Sequence, residues 1–247
     1  HYLFFPLIAC ILSACGPDKH AESIITEAEQ LLNSKPDSAL VVLEEIRDST
    51  ADWPRSQQMH YELVYAQAQN KAYVNFTTDS IALELVDYYE RHGNANEQMM
   101  ANYIMGCTYR DLGSAPKALE SYRNAAEKAD TTDSECDFRQ LMLIHSQMAN
   151  VYSTMYASQS EECELNNALR YASHIQDRAA MCAFNDLKCA SLYKNKKYYD
   201  CIRMTDSLRQ VYMQHDDTYN ASLVCVNGFK SYLALGKYDS AHVYLEN

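Results

Sequence analysis

Apolar residues recur along this chain every three or four positions, in runs broken by short polar turns, with no sustained alternation of period two; the pattern predicts helices joined in hairpins. Over 21–33, Ile24, Ile25, Ala28, Leu31 and Leu32 share one face. Ser34-Lys35-Pro36-Asp37 turns the chain, and Ala39, Leu43 and Ile46 anchor a return helix over 38–46. Pro54 opens a long helix carrying Tyr61, Val64, Tyr65 and Ala68, and Ala82, Val86 and Tyr89 mark its return over 79–91. The third hairpin spans 100–130, with Tyr103, Gly106 and Tyr109 on its first helix and Ala118, Tyr122 and Ala125 on its second. Gly113 suits a left-handed stop between them, and Pro116 suits a first helical turn. A fourth begins near Asp137, packs through Met148, Ala149 and Tyr152, and returns through Ala168, Ala172 and Ile175 after a longer polar connection over 156–163. The fifth places Cys189 and Leu192 before a turn at 194–197 and Cys201, Met204 and Leu208 after it; the sixth has Phe229 and Tyr232, then Gly236 and Ala241.

These hairpins repeat one another. Lys237-Tyr238-Asp239-Ser240-Ala241 echoes Lys35-Pro36-Asp37-Ser38-Ala39, and aligning Ala39, Ala82, Ala118, Ala168, Cys201 and Ala241 gives a period of about 40 residues. The order small residue, aromatic, turn, then Ala, Tyr and Ala at 118, 122 and 125 resembles the tetratricopeptide repeat (TPR), except that Asn102 stands where that pattern has a bulky aromatic. A HEAT-like hairpin solenoid is the alternative within the same class. The resemblance implies an all-α, TPR-like αα-hairpin solenoid wound as a right-handed superhelix, with first helices lining a concave groove. On that groove it would place Tyr103, Cys107, Arg110 and Asp111, then Ser146, Asn150 and Ser153, then Asp186, Tyr193 and Lys194, and finally Val226 and Lys230. Such a mixed polar and aromatic surface suits a peptide or a partner helix.

The N-terminus differs in kind. Residues 2–14 are almost wholly apolar and end at Leu12-Ser13-Ala14-Cys15, after which the chain turns polar. The run is short for a spanning helix and resembles a lipoprotein signal peptide over 1–14 whose basic n-region is missing, with Cys15 as lipid anchor. Leu7-Ile8-Ala9-Cys10 fits the short pattern too, but cleavage there would leave an apolar tail. A tether over 15–20 and a repeat domain over 21–247, truncated in its sixth hairpin, complete the expected organisation.

Composition narrows the functional class. A formal charge of −12 argues against a nucleic-acid surface. Seven of the 9 Cys lie beyond the leader, without C-x-x-C or metal-like His spacing, and read as buried small hydrophobes rather than as disulfides or a zinc site. The 8 His are scattered, and no phosphate loop, nucleophile elbow or dinucleotide fingerprint occurs, so no catalytic function, cofactor or metal is expected. Glu44-Glu45 and Glu161-Glu162 are consecutive on helices and read as solvated.

The expected function is a protein-interaction scaffold, exported and held at the inner or outer membrane of a Gram-negative bacterium through Cys15, with a protein or peptide in its groove. Nearly as well supported is the exported sensor half of a transmembrane regulator that continues beyond Asn247. A glycan-binding lipoprotein fits less, because the chain has one Trp.

Overall fold

The computed structural model describes residues 18–246, which are helical and contain no strand. The expected signal peptide over 1–14, the expected lipid anchor at Cys15 and the start of the expected tether lie outside the described residues. The fold is an all-α helical repeat, and the chain divides into two compact units at Phe76 and Thr77.

The first unit holds α1 (Lys19–Leu31), α2 (Pro36–Glu44), a 3₁₀ turn (Arg47–Asp52) and α3 (Arg55–Lys71). Asp18 caps α1, accepting from the backbone N–H groups of His20 and Ala21, so the helix begins inside the stretch expected to be a tether. Ile25, Ala28 and Leu32 pack with Ala39, Leu43, Trp53, Tyr61 and Val64 in one core. Tyr61 is buried, and its hydroxyl donates to the Leu43 carbonyl. The expected second hairpin is thereby divided, since α3 packs on α1 and α2 while α4 belongs to the second unit.

The second unit holds α4 (Ser80–His92), α5 (Ala95–Asp111), α6 (Ala115–Lys128), α7 (Phe138–Thr154), α8 (Ser158–His174), α9 (Arg178–Lys194), α10 (Tyr198–Gln214), α11 (Thr218–Ala234) and α12 (Tyr238–Glu246). From α7 to α11 every helix has 17 residues and every connection three, which sets a hairpin period of 40 rather than the ~34 of an ordinary TPR unit.

Two local devices enforce that period. Each first helix starts at a side-chain cap, Asn94, Asp137, Asp177 or Asp217, whose oxygen accepts from the N–H three residues on at 2.9–3.2 Å. Each three-residue connection puts its middle residue in the left-handed region and closes by a bond from the next N–H to a carbonyl five residues back. At Tyr156 (φ 58°) the closing bond is Ala157 N–H to Tyr152 O (3.0 Å); at Lys196 (φ 60°) it is Lys197 N–H to Leu192 O (2.9 Å). The polar connection expected over 156–163 therefore does not exist: α8 begins at Ser158, directly after such a turn.

The small-residue slots behave as expected for close helix contact. Ala82, Ala118, Cys201 and Ala241 are buried, and a β-carbon on Gly106 would lie 2.4 Å from the Tyr122 ring. Ala168 is buried too, but it is the eleventh residue of α8, whereas Ala118, Cys201 and Ala241 are each fourth in their helices. The fourth residue of α8 is Glu161, only 5% exposed, so the reading of Glu161 as solvated is corrected here.

Candidate functional site

Most of the residues expected to face a partner occupy the ninth, thirteenth and sixteenth positions of successive first helices, a spacing that keeps side chains on one side of a helix. These are Tyr103, Cys107 and Arg110 on α5; Ser146, Asn150 and Ser153 on α7; Asp186 and Tyr193 on α9; and Val226 and Lys230 on α11, while Asp111 and Lys194 are the seventeenth residues of α5 and α9; Ala190 and Leu233 complete the same positions.

The environment of these residues changes along the unit. On α5, Tyr103 and Cys107 are buried, Tyr103 lies 5.8 Å from the Tyr122 ring, and burial pushes the Cys107 thiol up. Arg110 is half-buried, donating to Asp111 Oδ1 (2.8 Å) and across to Gln147 Oε1 on α7 (3.1 Å). Asn150 is exposed and Ser146 half-buried. Lys194 is held: its ammonium donates to Ser153 Oγ (2.6 Å), pairs with Glu161 Oε2 (3.2 Å) and sits over the Tyr156 ring at 5.9 Å. Tyr193 leans its ring on Tyr198.

On α9 and α11, which pack side by side, the face opens. Leu187, Leu223 and Val226 are 48%, 46% and 45% exposed, with Ala183 beside them and Leu233 farther along. Two polar groups mark this apolar surface. Asp186 accepts a hydrogen bond from the Asn227 amide (3.1 Å), and burial raises its carboxyl above the ordinary carboxylate range, opposed by that bond and by Lys230. Lys230 is exposed. Leu187 and Leu223 are not among the residues expected on this surface, because an apolar residue type carries no sign of its own exposure.

Chemistry of other kinds is sparse. Among the described residues no cluster of three metal-ligating side chains occurs, and no helix is long and apolar enough to cross a membrane. The described cysteines are free thiols; Cys189 and Cys201 are fully buried in small-residue slots, and burial pushes the Cys189 thiol up to about 12.

No family model matches the chain, and no curated protein matches it. Solved structures do. RapI in its apo form aligns at a TM-score of 0.73 with 12% identity over 91% of this chain, which spans 63% of RapI. A Rap protein complexed with Competence and Sporulation Factor aligns at 0.57 with 14% identity, covering 92% of this chain and 64% of its own. BtubC (BKLC) from P. vanneervenii aligns at 0.59 with 14% identity, covering 92% of this chain and 86% of its own. At these identities the likeness is one of fold: the chain is a TPR-like all-α helical repeat protein.

Proposed function

We propose that this chain is a non-catalytic interaction scaffold whose first helices capture a protein partner, an amphipathic helix or extended peptide, on the open face of α9 and α11. One observation carries the reading. Two neighbouring helices expose apolar side chains at related positions, with Asp186 and Lys230 set among them, which is the composition of a binding surface rather than of solvated helix. The solved Rap structure complexed with a factor supports the general role. Leu223→Asp and Val226→Asp, measured by affinity capture and mass spectrometry, are expected to lose a partner retained by Tyr199→Asp on the second helix of hairpin five; retention by all three variants would remove the site from this face.

We further propose that the scaffold is exported and anchored through Cys15. The support is the sequence Leu12-Ser13-Ala14-Cys15 behind an apolar run, and a diacylated cysteine with an acylated amine would hold a protein firmly where one chain would not. Metabolic labelling with an alkyne fatty acid should be abolished by Cys15→Ala; labelling that persists would move the anchor to Cys10 or discard it.

A further inference from the structure

The repeat supplies its own comparison for packing, and one second helix, α8, departs from it. Where a first helix lies beneath two consecutive second helices, the fourth and fifth residues of the earlier second helix are Ala118-Leu119 in α6 and Cys201-Ile202 in α10, all buried. In α8 the same two places hold Glu161-Glu162. Leu119, Tyr122, Met148 and Ile202 are buried and the Tyr244 ring lies against Gly228, while a separate cavity of about 320 Å³ opens elsewhere along α11, between Met213 and Tyr244. Over α9 the exposed Glu162 stands where α6 and α10 have the buried Leu119 and Ile202, and Lys188, in the place of Met148 on α7, turns aside to Asn166 Oδ1 (2.7 Å). A cavity of about 140 Å³ results.

Its lining has a definite chemistry. Leu165, Leu192 and Met204 make an apolar floor. One wall is a preformed hydrogen-bonded chain in which the Ser158 hydroxyl bonds to the Asn195 side chain, which in turn donates to Ser191. At the rim stand Glu162 and Lys197, whose side chains have no hydrogen-bonding or ionic partner among the described residues. A cavity with one unpaired anion and one unpaired cation, at the place where α6 and α10 bury an apolar residue, is a local departure from the repeat, and such departures concentrate at functional positions.

We propose that this seam binds a small zwitterion with a compact aliphatic body, the chemistry of a free aliphatic α-amino acid. The ammonium would meet Glu162, the carboxylate Lys197, and the side chain Leu165, Leu192 and Met204. At about 30 Å³ per small group the cavity accommodates roughly four to five non-hydrogen atoms, the size of a leucine or valine side chain with its α-carbon. Lys188 and Ser191 leave α9 on the side opposite Asp186 and Ala190, so this site and the proposed partner face stand or fall separately.

The test is an NMR titration of the full chain, methyl-labelled at Met, with L-leucine as probe and Met204 as reporter. A saturable shift is expected. Isovalerate, which lacks the ammonium, and isopentylamine, which lacks the carboxylate, should each bind at least about tenfold more weakly. Glu162→Gln should weaken leucine to the same degree with helicity unchanged, and Glu162→Leu, which restores the plug of α6, should abolish binding and raise the melting temperature. Absence of a saturable shift, equal binding of isovalerate, or undiminished binding by Glu162→Gln would each overturn the proposal.

Discussion

Lys194 on α9 and Glu161 on α8 form an ion pair (3.2 Å) in which the carboxylate occupies the slot that Ala118 and Cys201 fill in the neighbouring second helices. The carboxylate is almost fully buried and the ammonium about one-third exposed, so the two are not equivalent. Removing Lys194 leaves Glu161 buried and uncompensated; removing both restores the small-residue packing of the other repeats. Lys194→Met is expected to cost about 2–4 kcal/mol, while Glu161→Ala with Lys194→Met should fall within about 1 kcal/mol of wild type. Urea unfolding of the two singles and the double checks this, and equal loss in Lys194→Met and the double would mean the pair itself stabilises the hairpin.

The left-handed turns offer a second measurement. Tyr156, Gln176, Lys196 and Asp216 adopt φ of 55–60° without being glycine. A side chain there costs roughly 1 kcal/mol relative to Gly, partly offset by the greater freedom of Gly in the unfolded chain. Lys196→Gly should therefore raise stability by about 0.5 kcal/mol, and Gln176→Gly similarly, read as a higher melting temperature. A fall in both would place the strain elsewhere.

Close approach of α5 and α6 depends on Gly106. Its missing β-carbon is replaced by the ring of Tyr122, which is fully buried with its hydroxyl on Cys107 Sγ. Gly106→Ala should destabilise by about 1–3 kcal/mol through overpacking, and the paired change Tyr122→Leu should recover part of that loss. Additive losses in the double variant would show that the two sites do not share this space.

Acid sensitivity should come from the caps. The Asp177 carboxyl lies below its ordinary range because it accepts from the Ala180 N–H and then because Arg139 pairs with it; Asp217 is lowered by the Asn220 side chain and backbone. Each titrates lower folded than unfolded, so each contribution is complete above about pH 4 and is lost as pH falls through the folded value. Asn caps a helix as well as Asp but does not titrate. Asp177→Asn with Asp217→Asn should thus make stability less steep between about pH 5 and 3, followed by circular dichroism under urea; an unchanged slope would assign the acid limb to other carboxylates.

How far the sequence could be read depended on what marked each position. Gly113 and Gly236 announce their turns by residue type, and the small residues at 82, 118, 201 and 241 announce close contacts; these positions were legible. The turn at Tyr156 uses a residue with no turn signature, so the start of α8 was missed by several residues and Ala168 was aligned in place of Glu161. Capping carboxylates at 137, 177 and 217, forty residues apart, carried the correct register and could have supplied it. The helix side carrying the proposed partner face could be read from spacing; the gradient of burial along it could not, because burial of Tyr103 on α5 and exposure of Leu223 on α11 depend on tertiary neighbours.

The central claim, that α9 and α11 present the partner-binding face, is tested most directly by photo-crosslinking in the native cell. A benzophenone amino acid is placed in turn at Ala183, Leu223 and Val226 on that face, and at Tyr199 and Val243 on second helices. The account predicts one common adduct at the first three positions, competed by unlabelled full-length protein, and none at the last two. Adducts confined to Tyr199 and Val243, or equal at all five, would contradict it.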